Sequence, residues 1–111
     1  MPLPISRADA VTTVLLTQKS FEEANLPATS DQLFQLIATL GRRPLCLDFV
    51  KVQWLTSTGL GRLVALRKRV RAVGGRLSLH NLSPMIYEIF ELTQLVKLFD
   101  IQRKEADSRA R

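Results

Sequence analysis

Apolar and polar positions along the chain follow two alternating rhythms. Residues 10 to 17 (Ala-Val-Thr-Thr-Val-Leu-Leu-Thr) are dense in β-branched side chains and predict a strand behind a short proline-containing arm. Residues 18 to 29 are polar, include Pro27 and predict a connection. Thr29, Ser30 or Asp31 then stands in place to cap a helix in which Leu33, Phe34, Leu36, Ile37 and Leu40 recur at helical spacing, with Gly41 as its stop. Leu45-Cys46-Leu47-Asp48-Phe49-Val50 is a short apolar run suited to a strand covered on both faces. A loop over 51 to 58 leads into a helix from Gly59 to about Val73. Its stripe is Leu60, Leu63, Val64, Leu66, Val70 and Val73, and Arg62, Arg67, Lys68, Arg69 and Arg71 lie mostly outside it. Gly74-Gly75 ends that helix, and Arg76-Leu77-Ser78-Leu79-His80 alternates like a strand. Ser83-Pro84 pairs an N-cap with a proline at the first helical position, where the missing amide proton costs nothing. Met85, Ile86, Ile89, Phe90 and Leu92 form the apolar side of this third helix up to about Gln94, and residues 95 to 101 contain a short last strand.

The order strand, helix, strand, helix, strand, helix, short strand, joined by short connections, predicts an α/β fold with a largely parallel or mixed sheet carrying helices. With 111 residues and 46% apolar composition, one domain is expected over 1–111, its core spanning about 10–101. The polar stretch 102–111 reads as a solvent-facing helical turn or a frayed end. No segment reaches the roughly 18 apolar residues of a membrane span, and the start lacks a basic stretch followed by an apolar run; the expectation is a soluble, cytoplasmic protein without membrane insertion.

Charge and chemistry narrow the picture unevenly. A formal net charge of +6 favours an anionic partner without choosing among nucleic acid, lipid and acidic protein. The single cysteine, Cys46, excludes an internal disulfide and sits in an apolar run as a small buried hydrophobe. His80 is the single histidine, and Asp48 falls on a strand apart from Glu88 and Glu91 on the third helix, so neither a metal cluster nor a paired-carboxylate site is supported. Gly59-Leu60-Gly61 opens a helix as a dinucleotide fingerprint does, but Val64 occupies the third glycine's place. The basic helix has no interleaved aromatics, which argues for a solvated face or an electrostatic rim and against direct DNA binding. The pattern predicts neither an enzyme nor a cofactor.

One loop stands apart. Thr56-Ser57-Thr58-Gly59 sets three hydroxyls before an amphipathic helix, where free amide protons and the positive end of the helix dipole favour negative charge. On local grounds alone, simple N-capping by one hydroxyl accounts for the cluster. A phosphate added here would be tolerated by the fold and would place nearly two negative charges on the surface.

The stretch from Leu45 to Ile101 resembles a STAS domain, closest to free-standing bacterial anti-sigma factor antagonists. The matching pieces are Leu45-Cys46-Leu47-Asp48-Phe49, the run from Val52 through Trp54 and Thr56-Ser57-Thr58-Gly59 to Gly61, and Leu66-Arg67-Lys68-Arg69 with Gly74-Gly75-Arg76-Leu77. Leu82-Ser83-Pro84, Phe90-Glu91-Leu92-Thr93-Gln94-Leu95 and Leu98-Phe99-Asp100-Ile101 complete the series. The resemblance implies a STAS-like α/β fold, a central mixed sheet with helices largely on one side. It also implies partner switching: the unphosphorylated protein binds an anti-sigma factor that is a serine/threonine kinase and so releases a sigma factor. Phosphorylation by that kinase breaks the complex and a serine/threonine phosphatase restores it. The family motif is Asp-Ser-Ser/Thr-Gly with the acceptor directly before the glycine, which makes Thr58 the phosphoacceptor and Ser57 the fallback. Thr56 stands where the aspartate normally does. Trp54, Thr56, Ser57, Thr58, Gly59 and Arg62 are the residues expected at the partner. The competing expectations are an accessory or scaffold STAS subunit, in a stress-signalling assembly or on a lipid-transport ATPase, and a basic module that binds nucleotide or nucleic acid at the helix start.

Overall fold

The computed structural model describes residues 3–8 and 10–103. Five strands and three helices follow one another, alternating from β2 onward: β1 (Ile5–Ala8), β2 (Val11–Thr17), α1 (Leu26–Leu40), β3 (Leu45–Lys51), α2 (Ser57–Ala72), β4 (Leu77–Leu82), α3 (Pro84–Leu92) and β5 (Asp100–Arg103). Single 3-10 turns at Gln18–Phe21 and Leu95–Lys97 follow β2 and precede β5. The strands lie in the order β1-β2-β3-β4-β5, with β1 antiparallel to β2 and all later pairs parallel. Parallel crossovers are right-handed as a rule, and because each one here steps in the same direction across the sheet, that rule sets the connecting helices on the same face.

Burial follows from that arrangement. The row Val14, Leu47, Leu79 faces the helices, and all three are fully buried. Leu33, Ile37 and Leu40 of α1 and Leu60, Leu63, Leu66 and Val70 of α2 close over them. Val64 and Val73 pack at the margin. Phe21 stacks on Phe49 at 5.9 Å between ring centroids, and Phe90 meets Phe99 edge to face at 5.6 Å. The opposite face carries the cross-strand row Thr13, Cys46, Ser78, Asp100 and, one step on, Leu15, Asp48, His80, Gln102. Within it His80 Nε2 lies 3.0 Å from Ser78 Oγ, and Asp48 Oδ1 accepts from Val50 N and Asn81 Nδ2, both at 3.0 Å. Asp48 is thus a tie between β3 and β4. Burial pushes the Cys46 thiol pKa up, the Asp48 and Asp100 carboxylates adding to the rise while hydrogen bonds with Ser78 and Thr13 oppose it.

Several boundaries differ from the local pattern. The proline-containing arm includes a strand, β1, held by its register on β2 and by Leu15 N donating to Pro4 O at 3.0 Å. Helix α1 starts at Leu26 and not behind a cap at Thr29, Ser30 or Asp31, because Pro27 suits the first turn; Thr29 and Ser30 are buried inside the helix. Thr29 Oγ1 donates instead to Ser20 O at 2.9 Å, fastening α1 to the 3-10 turn. On α3 only Ile86 and Phe90 are buried, while Met85 and Leu92 are 60% and 76% exposed, so the apolar side expected there is narrower than its sequence. Gln102 and Arg103 belong to β5, and residues 104–111 of the expected polar end lie outside the described residues. At the far end of the sheet a Cβ on Gly75 would come within 2.7 Å of Gly41 O, so the turns after α1 and α2 pack backbone to backbone.

Candidate functional site

In a parallel sheet the connections leaving the C-terminal ends of the strands gather at one pole, where such folds place their binding surfaces. Here that pole collects the 3-10 turn after β2, the 52–56 segment after β3 with the start of α2, and Ser83 with the start of α3.

The 52–56 segment is pinned at both ends. Val52 and Leu55 are buried in the core, and Val52 N donates to Phe49 O at 2.9 Å. Between them Gln18 acts as a clamp. Its Oε1 accepts from Gln53 N at 2.7 Å and Trp54 N at 3.3 Å, and its Nε2 donates to Trp54 O at 3.0 Å. Trp54 is left 51% exposed, so the expected border residue does face outward.

Helix α2 begins at Ser57, two residues earlier than the apolar stripe suggests, because Thr56 is its N-cap. Thr56 Oγ1 accepts from Gly59 N at 3.1 Å and Thr56 O from Leu60 N at 3.0 Å. Ser57 and Thr58 are therefore the first and second residues of the helix, and both are exposed. Gly59 is buried: a Cβ there would lie 3.3 Å from Phe21 Cδ1, so glycine lets the first turn settle on the Phe21–Phe49 stack. Arg62, one turn on, is exposed. Of the six residues expected at the partner surface, Trp54, Thr56, Ser57, Thr58 and Arg62 share an outward surface and Gly59 underlies it.

Gln18 was not recognisable in the sequence as part of this site. No local signal marks a glutamine that reaches 35 and 36 positions along the chain. The site is a surface and not a cavity; shallow concavities of about 230 and 190 Å³ lie at the other pole, beside Gly75-Arg76-Leu77. Among the described residues no His, Cys, Asp or Glu cluster could hold a metal, and no helix is long and apolar enough to cross a membrane.

The pattern of a STAS domain matches residues 6–108. The chain belongs to the STAS family. Over 78 residues this STAS chain is 35% identical to the anti-sigma-B factor antagonist of Bacillus subtilis, a match covering 70% of each chain. In further relatives the matched stretch spans 55% to 61% of their length. In fold, the STAS chain is similar to an anti-sigma-factor antagonist (STAS) domain protein of Planctomyces limnophilus (TM-score 0.80, 15% identity, 97% and 95% of the two chains covered). It is also similar to the Bacillus cell fate determinant SpoIIAA in its phosphorylated form (TM-score 0.66, 18% identity, 98% and 99% covered).

Proposed function

We propose that this STAS chain is an anti-sigma factor antagonist whose binding surface is the start of α2 with Trp54, and whose switch is phosphorylation of Thr58. The observation that carries the reading is the exposed Ser57-Thr58 pair opening a helix whose cap is already made by Thr56. It is supported by the B. subtilis relative, named an anti-sigma-B factor antagonist, and by the phosphorylated form of a structural neighbour.

In the unphosphorylated state the neutral hydroxyls and the flat rim of α2 receive an anti-sigma factor that is itself a serine/threonine kinase, and the sigma factor is released. The kinase transfers the γ-phosphoryl group of ATP to Thr58 Oγ1, which gives up its proton as ADP departs. The phosphate brings nearly two negative charges to a helix start with no acidic residue in its first turn, and a partner fitted to a hydroxyl must then accommodate both bulk and charge. Within the domain the free amides and dipole at the helix start offset that charge, so the fold persists. A phosphatase returns Thr58 to the binding form.

The test incubates the protein with its cognate anti-sigma kinase and ATP, maps the modified residue by mass spectrometry and measures binding before and after. Phosphate on Thr58 with a sharp loss of binding is the expected result. Phosphate on Ser57 would move the acceptor by one position. A chain that the kinase neither binds nor modifies would favour an accessory STAS subunit, with Thr56 as the substitution that ended the switch.

A further inference from the structure

Ser57 and Thr58 are both exposed in the first turn of α2, yet their neighbours on the helix differ. Side chains four residues apart on a helix stand one above the other, with Cβ atoms about 5–6 Å apart. Four residues beyond Ser57 is Gly61, where even a Cβ would meet nothing within 4 Å. Four residues beyond Thr58 is Arg62.

Among the described residues no acid holds Arg62. Its helical neighbours three and four positions away are Thr58, Gly59, Ala65 and Leu66, and the first turn of α2 contains no acidic residue. It makes no hydrogen bond or ion pair among the described residues. Other arginines are engaged: Arg43 Nη2 donates to Thr39 O at 2.9 Å, Arg67 Nε to Leu98 O at 2.6 Å, and Arg69 lies 5.0 Å over the Phe34 ring. From Ser57 to Leu66, Arg62 is the one charged side chain of the helix.

Resting on the reading that the start of α2 is phosphorylated, we propose that Arg62 is the built-in counter-charge of phosphorylated Thr58, drawn onto the phosphate and so withdrawn from the partner. The guanidinium presents paired donors in a planar fork that matches phosphate oxygens, and the i, i+4 spacing brings the two groups within reach along one face. Phosphorylation then acts twice, adding negative charge and removing from the contact the one cation between Ser57 and Leu66. A phosphate on Ser57 would add the charge without the capture, which distinguishes the two hydroxyls by function.

Phosphoserine inserted during synthesis at position 58, or at position 57, supplies each phosphoform without a kinase, so this test stands apart from the kinase assay. The probe is the ³¹P resonance followed through the second ionisation of the phosphate. With Arg62 present, the midpoint at position 58 should lie about 0.3 pH units below that of the Arg62→Gln protein, the size expected of an i, i+4 helical ion pair. Arg62→Lys, which keeps the charge and loses the fork, should recover part of the difference. At position 57 Arg62→Gln should leave the midpoint where it was, and the Arg62 Nε–H signal should move in the 58 form alone. Equal midpoints with and without Arg62 at position 58, or the same displacement at position 57, would overturn the proposal. Failure of the kinase to modify Thr58 would instead remove the switch and leave the pairing as measured.

Discussion

At the scale of single residues, Thr56 shows what the substituted motif position does. Threonine and aspartate both cap helices, so the hydroxyl that accepts from Gly59 N keeps the local geometry while setting no carboxylate beside Thr58. Thr56→Ala should therefore cost about 1 kcal/mol in a denaturant melt, and Thr56→Asp should restore most of it. Cys46 is the second informative residue. Its thiol pKa is raised above the ordinary 9.0 by burial, so the folded state holds its proton longer than the unfolded chain does. Stability is then fully present below about pH 9 and falls as the pH climbs through the folded thiol's pKa, because the unfolded state ionises first. Stability measured across pH 8 to 11 should fall more steeply in the parent than in Cys46→Ala, and parallel curves would show that the thiol contributes nothing to the alkaline loss.

At the scale of elements, the pattern of apolar residues and the long-range contacts carry different information. Strands β2 to β4 and helix α2 were legible because Val14, Leu47, Leu63 and Leu79 recur at the spacing of the face that they bury. Strand β1 was not, since Ile-Ser-Arg-Ala has no alternation of its own and its turn uses Ala10 at a φ of 66° where glycine or asparagine would be the usual signal. The start of α1 was missed because several hydroxyls could cap it, while Pro27 and the Thr29 bond to Ser20 decide the matter. Of the candidate site, the hydroxyls, Trp54 and Arg62 were readable from one stretch of chain, whereas the Gln18 clamp depends on β2 and β3 lying side by side. Gln18→Ala should accelerate amide exchange at Gln53 and Trp54 and weaken partner binding, with a stability loss of about 1–2 kcal/mol for its exposed hydrogen bonds. Unchanged exchange at these two amides would show that the buried Val52 and Leu55 hold the segment unaided. The helix faces invite a matching contrast: Leu63→Ala, at a site 1% exposed, should cost about 2–5 kcal/mol, and Leu92→Ala, at 76% exposed, no more than about 0.5 kcal/mol.

At the scale of the whole molecule, strand order and charge act together. The sequential order of the parallel strands sends their helices to one face and brings the 3-10 turn, the 52–56 segment and the start of α2 to one pole, so a surface drawn from distant residues needs no dedicated scaffold. A formal charge of +6 favours encounter with an acidic partner over a basic one. Charges at the rim of a contact act mainly on the association rate and its dependence on salt. Arg62, exposed beside Thr58, is the cation whose removal should be felt first. Arg62→Glu should slow association with the anti-sigma factor, and because an attractive charge has become a repulsive one, the association rate should fall less steeply with added salt than in the parent. Stopped-flow association at several ionic strengths separates this from a loss of packing, which would raise the dissociation rate and leave the salt slope alone. Association and dissociation rates both unaltered by the reversal would place Arg62 outside the contact, and the partner surface would then centre on Trp54 and the first turn of α2.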